Sequence, residues 1–225
     1  MKKGTRLYIN VTNNCNYKCP FCCMYCGPDK NRFMTLDQYR KIIDDCQTDF
    51  EVQLEGGEPF QHRDIERFIE YAILQERCRK VIILTNGNML IYMRKFERLA
   101  NRYDTKIAFK VSVNYFLIGE AMKHGSNKLL LYKKLSKRVD TMPNISMTFN
   151  VRKRHIGDEW IEAELEKYGL KEKSSIYFFQ SYGRLKNHQE YDQPVIVQNI
   201  DDWRIYASDG TYFGQDLIAR SEYEK

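Results

Sequence analysis

Residues 5–26, Thr-Arg-Leu-Tyr-Ile-Asn-Val-Thr-Asn-Asn-Cys-Asn-Tyr-Lys-Cys-Pro-Phe-Cys-Cys-Met-Tyr-Cys, join a short apolar stretch to a dense run of cysteines. Leu7, Ile9 and Val11 recur at every second position, which predicts a first β-strand. From Thr12 to about Phe33 the chain is rich in Asn, Cys, Pro and Gly and has the pattern of a loop. Because loops of this length inside compact domains are usually functional, we expect the site here.

The cysteines of this loop indicate metal binding. The chain has seven cysteines, and five of them lie between Cys15 and Cys26. A disulfide framework would be spread over the fold and would need an oxidising compartment. Cys15, Cys19 and Cys22 have the spacing C-x-x-x-C-x-x-C, and three such thiolates can hold a 4Fe–4S cubane whose fourth iron stays open. Cys19 and Cys22 with Cys23 and Cys26 leave a four-cysteine zinc site as the alternative.

Strand and helix patterns alternate along the rest of the chain. The first strand, from Arg6 to Val11, is followed by five further predicted strands: Phe50 to Leu54, Val81 to Leu84, Lys106 to Val113, Ile145 to Phe149, and Ser175 to Phe179. Six strand–helix units in series favour a parallel sheet, and crossover handedness curls it. The predicted fold is α/β, a partial (β/α)6 TIM-like barrel, with its ligands at the carboxyl ends of the strands.

The bulk properties set limits on class and location. A chain of 225 residues with 43% hydrophobic residues supports one substantial core, and its net charge of +6 is modest. Mean hydropathy is −0.61 and no secretory or membrane-spanning run is visible, so we expect a soluble cytoplasmic protein. The pattern changes after Tyr191, which predicts a core of residues 1–191 and a carboxy-terminal tail of residues 192–225.

A second motif makes the cysteine spacing specific. Gly56-Gly57-Glu58-Pro59 follows the second strand directly, 34 positions after Cys22. With this pair of motifs the chain resembles the radical S-adenosylmethionine superfamily from about Arg6 to Arg184. The approach Tyr8-Ile9-Asn10-Val11-Thr12-Asn13-Asn14-Cys15 resembles the branch of molybdopterin-precursor cyclases and peptide-maturing enzymes.

The resemblance implies a role for each matching position. Cys15, Cys19 and Cys22 would bind the 4Fe–4S cluster, and its open iron would bind the amino and carboxylate groups of S-adenosylmethionine. Phe21 would lie along the adenine, and Asn86 is a further candidate. The other implied contacts are Gly56, Gly57 and Glu58 at the methionine amino group, Ser112 and Asn114 at the ribose, Asn150 and Arg152 at the methionine carboxylate, and Gly183 and Arg184 at the adenine.

The implied activity is reductive cleavage of S-adenosylmethionine and abstraction of a hydrogen atom from the substrate, with an electron donor such as flavodoxin or ferredoxin. No cysteine follows Cys78, which predicts a single cluster. Residues Trp203 to Phe213 resemble the hairpin that opens the carboxy-terminal extension of some relatives, with Asp209-Gly210 as its turn, and we expect it to cap the barrel. For Cys23 and Cys26 three roles stay open: ordinary loop thiols, a partial second metal site, or a catalytic hydrogen donor near the cofactor.

Three functional hypotheses stay open at this point. The first is a radical enzyme that acts on a ribosomal peptide or a small, possibly phosphorylated, metabolite. The second is a radical enzyme that acts on a nucleotide or nucleic acid, which the basic cluster Arg152-Lys153-Arg154-His155 favours. The third is a non-catalytic metal-binding module that uses Cys19, Cys22, Cys23 and Cys26.

Overall fold

Seven parallel strands form the sheet of the computed structural model, which describes residues 5–88, 93–103, 106–191 and 202–225. Their spatial order is β6-β5-β4-β3-β2-β1-β7, so consecutive strands are neighbours until the last one. The strands are β1 (Thr5–Thr12), β2 (Phe50–Gly56), β3 (Cys78–Thr85), β4 (Ile107–Val113), β5 (Ile145–Lys153), β6 (Ser174–Phe178) and β7 (Asp202–Tyr206).

Helices connect the strands, as parallel pairing requires. They are α1 (Leu36–Asp44), α2 (Ile65–Ile73), α3 (Met93–Tyr103), α4 (Tyr115–Lys123), α5 (Lys128–Val139), α6 (Glu159–Lys167) and α7 (Leu217–Tyr223). The side chain of Thr35 accepts from the backbone of Gln38, whose own side chain accepts from the backbone of Thr35, and this reciprocal cap starts α1. Among the described residues, no helix is long and apolar enough to cross a membrane.

The two faces of the sheet differ in chemistry. On β1, Leu7, Ile9 and Val11 are fully buried in the main hydrophobic core. The intervening residue Tyr8 lines a cavity on the opposite face, as Gln53 does on β2. Because successive side chains of a strand point to opposite faces, the apolar set packs on the helices and the polar set faces the cavity.

The predicted partial barrel is confirmed, with the six predicted strands in place and a seventh added. Among the described strands, β6 and β7 are the two edges of the sheet, which is open in this part of the chain. The predicted hairpin forms, with an antiparallel bridge between Tyr206 and Tyr212. It differs from the expected cap because its first strand, β7, pairs in parallel with β1 and extends the sheet. The predicted boundary after Tyr191 stays a prediction, since residues 192–201 lie outside the described residues.

Candidate active site

The cysteine loop, residues 13–34, is tied to itself by backbone hydrogen bonds. Cys15 N donates to the carbonyl of Gly27 at 3.1 Å, and Gly27 N donates to the carbonyl of Asn13 at 3.3 Å. The amide of Asn14 adds a bond from Nδ2 to the carbonyl of Lys30 at 2.6 Å. These bonds fold a long irregular segment into a fixed shape at the carboxyl end of β1.

The three predicted ligand cysteines lie close enough together to influence one another. All three thiols are free, and Cys15 is buried while Cys19 and Cys22 are half-buried. Burial raises the pKa of Cys15 to about 12, and the neighbouring charge of Cys22 adds to the rise. Burial likewise raises the pKa of Cys19, with further contributions from Cys22 and Cys15. A thiolate here is therefore favoured only when a cation compensates its charge.

The glycine turn after β2 packs directly against the end of β1 and the start of the cysteine loop. Gly57 N donates to the carbonyl of Thr12 at 2.7 Å, and Glu58 N donates to the carbonyl of Asn14 at 2.9 Å. A Cβ atom on Gly57 would overlap the carbonyl oxygen of Asn14. The close backbone approach predicted for these glycines is thus present, but its partner is the protein's own chain. Their contact with a methionine amino group stays a prediction.

Glu58 is fully buried and joins this turn to the end of β3. Its carboxylate accepts from Thr85 Oγ1 at 2.8 Å, Asn86 N at 2.7 Å and Phe60 N at 3.2 Å. Burial raises the pKa of Glu58 to about 7, although these three donors oppose the shift. Asn86 in turn donates from Nδ2 to Asn16 Oδ1 at 2.7 Å, which places this further candidate beside the cysteine loop.

The candidates on β4 and β5 lie on adjacent strands. Ser112 pairs with Asn150 in the sheet register. Asn150 and Arg152 both line the cavity on the open face of the sheet. Asn114 has a structural task, because its Oδ1 accepts from Leu117 N at 2.9 Å and caps α4.

Arg184 is engaged with the cysteine loop. Its guanidinium donates to the carbonyls of Cys19 at 2.6 Å, Cys26 at 2.7 Å and Tyr25 at 3.1 Å. Gly183 has a φ of +64°, and a Cβ there would overlap the Cα of Cys23. Both residues therefore hold the loop, and their predicted contact with adenine stays a prediction.

An aromatic cluster surrounds Phe21. Its ring packs on that of Phe179 with centroids 4.2 Å apart, and Tyr115 lies 5.4 Å away. These rings supply a flat apolar wall beside the cysteine loop, which is consistent with the adenine contact predicted for Phe21.

A cavity of about 310 Å³ opens on the concave face of the sheet. Several of its lining residues were not predicted as site residues from the sequence: Tyr8, Gln53, Glu55, Lys110, Trp203 and Arg220. The missed signal was the alternation on the strands, since the polar positions between buried apolar ones must face somewhere other than the helices. Arg220 lies on α7, and no local pattern places that helix beside the sheet.

A family model described as the Radical SAM superfamily matches residues 9–116, a range that includes both motifs. This part of the chain is therefore similar to the radical SAM superfamily. Radical SAM proteins use a 4Fe–4S cluster and S-adenosylmethionine, which are accordingly the cofactors of this chain.

Known proteins resemble parts of this chain. The S-adenosylmethionine-dependent nucleotide dehydratase of Selenomonas ruminantium is 28% identical over 152 residues, which cover 65% of this chain and 54% of that protein. A GTP 3′,8-cyclase of Mannheimia succiniciproducens is 35% identical over 86 residues, which cover 36% of this chain and 26% of that protein. The chain thus spans about half, or less, of the length of these relatives.

A solved structure shows the same fold. Streptococcus suis SuiB bound to precursor peptide SuiA superposes with a TM-score of 0.57 at 16% identity, over 80% of this chain and 40% of that one.

The residues of this radical SAM site fit a thiolate-bound cluster. Tyr17 N donates to Cys15 Sγ at 3.4 Å, and such donors stabilise a ligating sulfur. Burial lowers the pKa of Lys128 to about 8, while the charges of Glu58, Cys19 and Cys15 oppose that shift, so a cation lies beside the thiols. No three His, Cys, Asp or Glu side chains of the described residues form a group that could hold a metal ion. A 4Fe–4S cluster does not need three side chains around one metal ion, because each thiolate binds a different iron of the cluster.

Cys23 and Cys26 lie in different surroundings. Cys23 lines the cavity, and burial raises the pKa of its thiol, while the nearby charge of Arg152 opposes the rise. Cys26 is buried beside Cys22, and a hydrogen bond between the two thiols lowers the pKa of Cys22. Cys23 is thus placed for contact with a ligand of the cavity, and Cys26 for support of a predicted cluster ligand.

The basic cluster Arg152-Lys153-Arg154-His155 does not form one surface. Lys153 pairs with Glu162, and Arg154 pairs with Asp158 at 2.6 Å. The ring of His155 stacks on Phe178 with centroids 4.3 Å apart. Only Arg152 lines the cavity. Three of the four side chains therefore have local partners, and the contact of this run with a nucleotide or nucleic acid stays a prediction.

Proposed function

We propose that this chain is a radical SAM enzyme in which Cys15, Cys19 and Cys22 hold a single 4Fe–4S cluster. The observation that carries the proposal is the contact between the cysteine loop and the turn Gly56-Gly57-Glu58-Pro59. Two backbone hydrogen bonds, from Gly57 and Glu58, hold the two motifs together at the carboxyl ends of β1 and β2. In parallel α/β folds, ligands bind at these ends.

The remaining site residues would surround S-adenosylmethionine. Gly56, Gly57 and Glu58 would meet its amino group, Ser112 and Asn114 its ribose, Asn150 and Arg152 its carboxylate, and Phe21, Gly183 and Arg184 its adenine. When bound, the cluster and S-adenosylmethionine supply the one-electron chemistry that removes a hydrogen atom from an unreactive carbon. The protein orients the groups, and the packed rings of Phe21 and Phe179 exclude water.

We place the substrate in the cavity on the concave face. Its volume of about 310 Å³ lies at the lower end of the range of small-molecule sites. A small metabolite therefore fits this geometry best. A flavodoxin or ferredoxin would donate the electron that reduces the cluster.

A nucleotide is the second candidate substrate. The relative from Selenomonas ruminantium is named a nucleotide dehydratase and is similar to 65% of this chain. Aromatic and cationic residues, including Tyr8, Trp203 and Lys110, line the same cavity, and these side chains suit bases and phosphates. The predicted peptide substrate has the support of the SuiB likeness in fold alone.

Anaerobic reconstitution tests the proposed function. The wild-type chain should bind about four irons and, with dithionite, cleave S-adenosylmethionine to 5′-deoxyadenosine and methionine. Cys15→Ser, Cys19→Ser and Cys22→Ser should each lose both properties. Cys78→Ser is the matched control and should keep them.

One variant separates the enzyme from a metal-binding module. Cys26→Ser should retain about four irons, because Cys26 is a ligand only in the zinc alternative. One bound zinc that disappears in Cys26→Ser, together with no cleavage of S-adenosylmethionine, would overturn the proposal.

A further inference from the structure

The cavity contains more positive charge than its neighbours neutralise. Among the described residues, three cationic side chains line it, Lys110, Arg152 and Arg220, and Glu55 is the one carboxylate in its lining. Arg152 has a task under the proposed function, at the methionine carboxylate. That leaves two cations against one carboxylate in the part of the cavity formed by β2, β4 and α7.

Arg220 is the most unusual of these side chains. It is 2% exposed and pairs through Nη2 with Glu55 Oε1 at 2.7 Å. Its Nε and Nη1 are buried without a hydrogen-bond partner among the described residues. Buried guanidinium donors left unpaired are costly, so their presence at a cavity wall indicates a missing acceptor.

Lys110 lies close to the same region. Its Nζ donates to the neutral Oε1 of Gln53 at 3.1 Å, and Gln53 also donates to Glu55. Burial lowers the pKa of Lys110, because a charged ammonium is less stable away from water. Lys110 precedes Ser112 by two positions on β4, so both side chains point to the same face, with Lys110 deeper in the sheet.

We propose that Lys110 and Arg220 bind an oxyanion of the substrate, a phosphate or carboxylate group on a small molecule, in the cavity beneath the cofactor residues. The proposal rests on the proposed function for the position of S-adenosylmethionine and names the substrate class that function left open. The acceptor would satisfy the unused donors of Arg220 and receive a charge-assisted bond from Lys110.

The other walls of the cavity suit a small molecule. Tyr8 and Trp203 pack edge to face with ring centroids 5.7 Å apart, and both line the cavity. They give an apolar surface next to the cationic pair, a combination that fits a ligand with one charged end and one flat or apolar end. Glu55 holds Arg220 in place and limits the net charge that an anion meets.

Direct binding to the reconstituted holoenzyme tests this site. Calorimetric titrations with S-adenosylmethionine present and no reductant would use inorganic tripolyphosphate, each of the four common ribonucleoside triphosphates, and citrate. At least one probe should bind, and Lys110→Gln should weaken that binding by about tenfold or more. Binding by the phosphate probes alone would identify a phosphorylated substrate, and binding by citrate alone a carboxylate.

Two variants guard against a trivial loss of folding. Glu55→Gln should strengthen binding by several-fold, because it removes the competing negative charge, and misfolding cannot produce a gain. Lys137→Gln, at an exposed lysine on α5, is the matched control and should bind as the wild type does.

Several outcomes would overturn the proposal of an oxyanion site. They are no binding by any probe, equal effects of Lys110→Gln and Lys137→Gln, and displacement of S-adenosylmethionine by the probe. The last result would assign the cations to the cofactor. Failure of the wild type to cleave S-adenosylmethionine would count against the proposed function alone, since probe binding is measured without turnover.

Discussion

Arg184 shows how one side chain can fix a loop that has little regular structure. Its guanidinium binds three carbonyls, those of Cys19, Tyr25 and Cys26, which span the second half of the cysteine cluster. An arginine can do this because its donors form a rigid fork, whereas a lysine offers one flexible ammonium.

We therefore expect Arg184→Lys to loosen the cysteine loop. At least one of the three carbonyls then loses its hydrogen-bond partner. This loss should lower the free energy of unfolding by about 1–3 kcal/mol. Urea denaturation of the apoprotein measures that loss, and iron content after reconstitution should fall in parallel. Arg63→Lys is the control, because the Arg63 side chain is 93% exposed. Wild-type stability and iron content in Arg184→Lys would contradict this role.

Glu58 makes the stability of the apoprotein depend on pH. Its pKa is raised from 4.5 to about 7 in the folded chain. Between these values the folded state holds a proton that the unfolded state has released, so the free energy of unfolding falls as pH rises from about 4.5 to about 7. The full effect is on the order of 3 kcal/mol.

Glu58→Gln should remove this slope, because an amide does not titrate. Urea denaturation at several pH values across the window gives the measurement. Glu172→Gln, at an exposed glutamate, should keep the wild-type slope. An unchanged slope in Glu58→Gln would assign the pH dependence to other groups.

At the scale of elements, the sequence predicted what local patterns encode. The alternation of Leu7, Ile9 and Val11 identified β1, and the apolar run from Val81 to Leu84 identified part of β3. The sequence did not predict which side chains contact residues far away in the chain. The bond from the Arg184 side chain to the carbonyl of Cys19 was not predicted, because the two residues are 165 positions apart in the chain.

The contact between the glycine turn and the cysteine loop is the element-scale feature most open to test. Gly57→Ala places a methyl group against the carbonyl oxygen of Asn14 and must push the two motifs apart. We expect a loss of about 3 kcal/mol in the free energy of unfolding, together with reduced iron binding.

Gly119→Ala is the matched control for that change. Gly119 lies within α4, and a Cβ atom there has open space around it. Because alanine is the better helix former, the free energy of unfolding of this variant should rise by about 0.5–1 kcal/mol, as measured by urea denaturation. Similar stabilities for the two variants would show that the turn can move at little cost.

At the scale of the molecule, both ends of the described chain meet at the site. β7 pairs with β1, and Ser221 on α7 donates to the carbonyl of Cys23 in the cysteine loop. This arrangement could not be read from the sequence, since β7 is five residues long and its partner strand is at the other end of the chain. The position of Arg220 in the cavity follows from it.

Glu224 is the clearest point at which the two ends depend on each other. Its buried carboxylate accepts from Asn10 Nδ2 at 3.0 Å, Ser208 N at 2.7 Å and Ser208 Oγ at 2.8 Å. Nη1 of Arg32, in the cysteine loop, lies 3.7 Å from Oε2 of Glu224. Glu224→Gln should therefore lower the free energy of unfolding by about 2 kcal/mol, because an amide can replace only part of these acceptors.

A double-mutant cycle with Ser208→Ala isolates this connection. Ser208→Ala removes the hydroxyl and leaves the backbone bond, so the coupling to Glu224→Gln should be about 1 kcal/mol on urea denaturation. Glu172→Gln in place of Glu224→Gln should give no coupling with Ser208→Ala. If the two changes at Ser208 and Glu224 were additive, the carboxyl-terminal helix would be docked by its apolar contacts. The cysteine loop would then keep its shape without help from that end of the chain.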